Sequence, residues 1–273
     1  MSRKFPILII LWFVAFIPIY PSLVSTWLNH SDNSHGILVP FISAYFIWQK
    51  KEQLRTAEIS SSNWGLLILA LSMALYLLSY AGDVSVAARA MIIFSLIGLV
   101  QFTLGKKILR TILFPLIFLL FMVPIPDSVL GLVSFPLQLF ATKVSTFVIQ
   151  LFSIPVYREG NMVYFANTQL EVAEACSGIR SIVSYLMLSI IFMYLLDKGW
   201  GRRFILLCSS IPLALLANII RISGTGILAH FYGDRVARGF LHEFSGLAVF
   251  AFGFVLLFLE YLWLDRKRVT SNK

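Results

Sequence analysis

The sequence predicts an all-α, polytopic membrane protein: a bundle of about eight transmembrane helices, joined by one interfacial or re-entrant amphipathic helix and a small outer hairpin. Three observations carry this. Of 273 residues, 59% are hydrophobic and 13% charged, whereas soluble domains hold about 25% charged and 45–50% apolar residues. Nearly uncharged runs recur along the whole chain, and each approaches the roughly 20 residues that cross about 30 Å of hydrocarbon. Lys and Arg gather in short clusters between those runs, so the net charge of +9 reads as a topology signal and not as a nucleic-acid-binding face.

The expected spans cover approximately 5–24, 36–49, 64–81, 86–104, 108–124, 179–196, 203–222 and 243–264, within a single integral membrane domain. The first imitates a signal peptide, with Arg3-Lys4 before a run from Phe5 to Trp27, but it lacks a small-x-small cleavage site and is read as a retained helix. The basic clusters at 3–4, 50–55, 106–110, 198–203 and 266–273 all fall on one side if the crossings alternate. Cytoplasmic loops carry the excess of Lys and Arg, which makes both termini cytoplasmic and gives the outer side to 155–178 and 223–242.

That assignment leaves 128–154 beginning and ending outside. Ser128, Gly131, Ser134, Gln138, Thr142, Ser145 and Gln150 recur there near helical spacing, with Leu, Val, Phe and Ile on the remaining surface. We read an amphipathic helix bent near Pro136 and lying in or dipping into the outer interface; the alternative is an ordinary span lining a bundle. The polar stretch 155–175 follows, where β-prone runs flank Glu159-Gly160-Asn161 and Ala166-Asn167-Thr168 and predict the hairpin.

On this topology all four histidines lie outside, and the search for chemistry narrows to the outer ends of helices. Cys176, in Glu-Ala-Cys-Ser-Gly-Ile-Arg, precedes the span 179–196. A thiol at a helix N-terminus has its thiolate favoured by the dipole and unpaired N–H groups; the competing reading is a small buried hydrophobe. Cys208 lies near the inner end of its helix, roughly 20 Å below the outer end, so a bridge to Cys176 is excluded by the ~7 Å limit between bridged Cα atoms. Arg221, with Asn218 three residues before it, offers a fixed guanidinium fork suited to an oxyanion, or else snorkels to the interface. His242 opens the last span and suits proton transfer to and from a thiol. These three come from different helices at one outer depth and supply the minimal set for acyl transfer through a thioester: nucleophile Cys176, oxyanion stabiliser Arg221 and acid/base His242.

Glu-Ala-Cys-Ser-Gly-Ile-Arg, Asn-Ile-Ile-Arg-Ile and the His242…Gly246 segment, in that order on successive helices, resemble the exosortase/archaeosortase family, and Ser34-His35-Gly36 resembles the segment that opens the family's second span. The resemblance implies a membrane-embedded cysteine transpeptidase or protease of the bacterial exosortase branch, with Cys176, Arg221 and His242 in its active site and Asn218, Ser177 and His35 in support. It implies a bacterial inner membrane location with the site on the periplasmic face, in exopolysaccharide-associated cells. The implied substrates are secreted proteins with a C-terminal tripartite sorting signal of the PEP-CTERM kind: a short motif, a transmembrane helix and a basic tail. The acyl acceptor stays open between water, an amine and a surface glycolipid; membrane lipid is the expected surrounding partner, and no cofactor, metal or nucleic acid is expected. The rival classes are a transporter or lipid-linked glycan carrier, against which stands the lack of an inverted repeat, and a serine-type intramembrane protease using Ser177 or Ser223.

Overall fold

The computed structural model describes residues 5–166, 169–172, 179–196, 199–233 and 240–266, without the side chains of 31, 127 and 240–245. Cys176, Ser177, Lys198 and the terminal basic residues 3–4 and 267–273 lie outside the described residues. Two compact units divide the chain after Pro126.

The first unit opens with α1 (Phe5–Ala15) and α2 (Tyr20–Asn29), bent by 65° where the sequence predicts one unbroken span. Pro18 supplies the cause, since it lacks an N–H and its ring crowds the preceding turn. The break exposes the Ala15 carbonyl, which accepts a hydrogen bond from Tyr76 Oη at 3.2 Å. A 3₁₀ turn (Ser31–Ile37) then leads into α3 (Leu38–Gln49) and the short α4 (Lys51–Thr56).

The long helices α5 (Asn63–Ala81) and α6 (Ser85–Thr103) form a hairpin, followed by α7 (Lys106–Phe118) and a 3₁₀ turn to Met122. Glycines let the hairpin close. A Cβ on Gly65 would sit 2.2 Å from the Phe102 amide nitrogen, and one on Gly98 would sit 2.5 Å from that of Leu69. Lipid gives helices no hydrophobic reason to associate, so backbone approach at small residues is what holds such a pair together. Trp12 Nε1 donates to Ser95 Oγ at 2.8 Å across the buried side of α6, which ties α1 to the hairpin.

The second unit contains α8 (Asp127–Leu151), the antiparallel sheet β1 (Val156–Glu159), β2 (Met162–Phe165) and β3 (Gln169–Glu171), then α9 (Ile179–Leu195), α10 (Trp200–Tyr232) and α11 (Phe240–Arg266). The predicted hairpin is present and gains a third strand, with Glu159 paired to Met162 across the Gly160 turn. One core joins α9, α10 and α11 through Tyr185, Phe192, Leu206, Ala214, Ala217 and Leu257. Another joins the sheet to α8 and to Ile219, Ile222 and Ile227 of α10.

Two expectations change here. Helix α10 does not end near 222 but continues to Tyr232, because Ile222, Thr225, Gly226 and Ala229 are buried, in part beneath the sheet. The middle of the polar stripe of α8 also faces protein: Ser134, Gln138, Thr142 and Ser145 are buried, with Thr146 beside them, while Ser128, Gly131 and Gln150 toward its ends are exposed, as are Leu132, at 77%, and Phe135, Phe140 and Phe147. No break interrupts α8 at Pro136.

Among the described residues, five helices are long and apolar enough to cross a membrane, or six if the bent pair counts as one, with α8 among the five. The remaining expected spans are shorter helices: α3, at 12 residues, extends about 18 Å. The chain is a multi-pass membrane protein, an all-α bundle with one small sheet, and its count of long spans falls below the eight expected.

The α5–α6 contact yields a direct test. Gly65→Ala places a methyl against backbone that cannot move aside and should cost about 1–3 kcal/mol, read as a lowered unfolding midpoint in detergent. Gly131→Ala, with nothing within 4 Å of the added Cβ, should leave the midpoint level or slightly raised. Equal shifts in the two variants would contradict close helix packing at Gly65.

Candidate active site

Three helices of the second unit converge because their basic ends are fastened. Arg203 donates from Nε (3.2 Å) and Nη2 (2.5 Å) to the Leu196 carbonyl after α9, and Arg202 Nη1 donates to Leu264 O near the end of α11 at 3.1 Å. These carbonyls are among those a helix end leaves without an intrahelical partner, and the arginines bind them as C-terminal caps. The heights of the opposite ends follow from 1.5 Å per residue. Ile179 lies about 25 Å from Leu196, Arg221 about 27 Å from Arg203, and Gly246 about 27 Å from Leu264, on the order of one hydrocarbon thickness.

Direct contacts confirm this register. A Cβ on Gly246 would lie 3.4 Å from both Cζ and Nη2 of Arg221, so the first turns of α11 pass against the guanidinium itself. Nearer the fastened ends, Tyr185 Oη of α9 donates to Phe250 O of α11 at 2.9 Å. The head of α9, Arg221 of α10 and Gly246 of α11 therefore share one level.

The expected site residues distribute as follows. Arg221 is half-buried at this level, and Asn218, three residues before it on α10, is buried at 2% exposure. His242 stands four residues before Gly246 on α11, one helical turn away along the axis, with its side chain outside the description. Cys176 and Ser177 lie outside the described residues, three and two positions before Ile179 in the sequence. Ser223 is buried, and its Oγ has no hydrogen-bond partner among the described residues. His35 belongs to the first unit, on the 3₁₀ turn before α3, where burial holds its imidazole below the usual histidine range against the opposing pull of the Asp32 and Phe121 backbone and the Asp32 charge. Gly36 beside it makes room for the Trp27 indole, which a Cβ would meet at 2.4 Å.

One feature escaped the sequence reading. Gln138 Nε2 and Asn161 Nδ2 (3.3 Å) both donate to the Val172 carbonyl, and Val172 N donates to Asn161 O at 3.0 Å. The segment that leads toward Cys176 is thus fixed at Val172 by α8 and by the β1–β2 turn. The available signal was Gln138 itself, a primary amide at the middle of a membrane-protein helix, which requires a partner when buried.

Chemically, this level of the unit presents a permanent cation with forked donors, held against a residue with no side chain and flanked by a buried primary amide. Such a fork can hold a carboxylate or a developing oxyanion.

No curated protein and no solved structure matches the chain. The family model described as transmembrane exosortase matches residues 27–259, a stretch that contains Cys176, Arg221 and His242 as well as the Ser34–Gly36 segment. With that match extending over most of its length, from the end of α2 to the last turns of α11, the chain belongs to the transmembrane exosortase family.

Proposed function

We propose that the protein is a cysteine transpeptidase or protease that removes the C-terminal sorting signal of secreted proteins at the periplasmic face of the bacterial inner membrane. The observation that supports this most is the common level of the head of α9, Arg221 and Gly246, because it sets the helix that follows Cys176 at the depth of the guanidinium and the first turns of the helix bearing His242 against it. In this reading the Cys176 thiolate attacks the scissile carbonyl, and the C–N bond breaks as His242 protonates the departing amine. The acyl group is left on sulfur as a thioester. Water or an amine then attacks that carbonyl, His242 takes its proton, and the thiolate is regenerated. Arg221 stabilises the oxyanion in both halves, with Asn218 beneath it. The substrate's own helix enters from lipid, its motif at the outer boundary and its basic tail in the cytoplasm.

Co-expression with a secreted protein carrying a tripartite tail tests this. Active enzyme should shorten the substrate. Cys176→Ala should lower processing by at least about 10³-fold with the enzyme still in the membrane, and the double variant with His242→Ala should be little worse, since residues acting as one unit are non-additive. Arg221→Ala should cost about 10²–10³-fold, and Arg221→Lys should recover only part of that because it restores charge without the fork. Hydroxylamine should yield a hydroxamate at the new C-terminus. Unimpaired processing by folded Cys176→Ala protein would defeat the assignment.

Gly246→Val provides a second handle. Its branched side chain would push the guanidinium aside, and a misplacement of about 1 Å can cost on the order of 10²-fold. We expect kcat to fall with an unchanged unfolding midpoint; full activity would remove Gly246 from the site.

Sidedness is checked by labelling single cysteines placed at the exposed Tyr157 and Glu52 in a chain with Cys176 and Cys208 replaced by Ala. An impermeant maleimide should reach the first from the periplasm and the second only after lysis. Labelling of position 157 from the cytoplasm alone would overturn the periplasmic site.

A further inference from the structure

A cavity of about 490 Å³ opens in the first unit where the bend between α1 and α2 meets the tip of the α5–α6 hairpin. Its lining includes Ser22, Ser79, Tyr80, Asp83, Ser85 and Arg89. The hairpin tip stands at the end of α5 and α6 opposite the basic clusters of Lys50, Lys51 and Arg55 and of Lys106 and Lys107. On the charge-derived topology this is the headgroup level of the outer leaflet. The exposed Tyr80 and Leu78 beside it agree with a membrane boundary.

Arg89 is the reason to expect a ligand. It is half-buried, and its Nε is buried with no hydrogen-bond partner among the described residues. Among the described residues its Nη2 makes two long contacts, to Ser22 Oγ at 3.5 Å and Thr26 Oγ1 at 3.4 Å. Both hydroxyls already give their protons to backbone carbonyls of α2 or its entry, Ser22 to Ile19 O and Thr26 to Ser22 O. They offer neutral lone pairs and no compensating charge, and among the described residues no carboxylate lies within 4 Å of Arg89. A half-buried guanidinium without a counter-ion gains from an anion at its open side, and Arg89 lies in the first turns of α6, whose N-terminus carries no side-chain cap and favours an anion. Asp83 lines the same cavity, so the space presents a cationic and an anionic group together.

We propose that this cavity binds a phosphate joined to a primary ammonium, the headgroup of phosphatidylethanolamine. The phosphate lies on Arg89 and the first turn of α6, and the ammonium lies on Asp83, with the glycerol and acyl chains running down the lipid-facing side of the hairpin. A lipid is the source that the position favours, because the cavity stands at headgroup depth beside exposed apolar side chains of α5 such as Leu75 and Leu78. Phosphatidylcholine shares the phosphate but carries no N–H donors for Asp83, and phosphatidylglycerol offers that carboxylate no cation.

Native mass spectrometry of the full-length protein, delipidated and then offered each of the three lipids, tests the site. Phosphatidylethanolamine should be retained at least several-fold more than phosphatidylcholine or phosphatidylglycerol. Arg89→Gln should remove most of that retention, with Arg89→Lys intermediate as a check that a cation here is compatible with folding. Asp83→Asn should keep phospholipid bound but erase the preference for ethanolamine over choline. A parallel arm with free O-phosphoethanolamine separates the sources: weak protection against thermal unfolding beside strong protection by the lipid identifies the lipid, whereas equal protection assigns the headgroup chemistry to a soluble ligand and overturns the lipid assignment. Equal retention of all three lipids, or undiminished phosphatidylethanolamine binding by folded Arg89→Gln protein, overturns the site itself.

Discussion

The fastening of α9, α10 and α11 at their basic ends sets the rest of the second unit. Arg202 and Arg203 bind carbonyls at the ends of two neighbouring helices, and these bonds form where the hydrocarbon gives way to water. Charged donors make stronger hydrogen bonds than neutral ones, and within lipid each orphan carbonyl must find a partner in the protein. Once the lower ends are fixed, helix rise alone determines which residues meet at the far end. Arg221 and Gly246 are neighbours for that reason, though 25 positions separate them in the sequence.

The same constraint explains the inverted pattern of α8. A helix in water turns apolar residues inward, whereas α8 turns Leu132, Phe135, Phe140 and Phe147 outward and keeps the hydroxyls of its middle, from Ser134 to Thr146, and Gln138 for protein partners. Its contacts with α10 include Ser145 Oγ donating to Ile219 O and Ile149 packing at Gly226, on the end of α10 near Arg221 and beyond. Length and composition would let α8 cross a membrane, and its Ala141 and Ile149 share a core with the sheet and with Ile222 of α10.

Much of this was legible beforehand, for identifiable reasons. Membrane class follows from the scarcity of charge, which no packing detail can disguise, and the hairpin follows from Gly160-Asn161 between β-prone runs. Periodicity in α8 correctly marked a two-faced helix but not which face met protein, since a small-polar stripe suits headgroups and buried hydroxyl contacts alike. The extension of α10 past Gly224 and Gly226 was hidden because glycine reads as a helix stop in isolation, whereas Gly226 is small for Ile149 and Phe165 to pack over it. The bend at Pro18 was visible as a proline but was absorbed into a long apolar run. Of the candidate site, the depth of Arg221 and Asn218 followed from residue type and position on one helix, while Gly246 beside the guanidinium required coordinates, because a residue without a side chain announces no chemistry.

The height of Arg221 also matters for any acyl transfer performed there. Such a reaction passes through an oxyanion and needs proton exchange with a departing amine, and both are costly in the middle of hydrocarbon. At about one hydrocarbon thickness from the fastened ends, the guanidinium is near enough to water for protons and an acceptor to arrive. It is also half-buried, so its field is less screened than at a free surface. A substrate helix of about 20 residues, anchored by basic residues on the cytoplasmic side, would place its outer end at this same height without any further recognition. On the proposed function the membrane would then act as the ruler: bilayer thickness would set where a substrate's helix ends, and the arginine caps on α9 and α11 set the height of the guanidinium that would meet it.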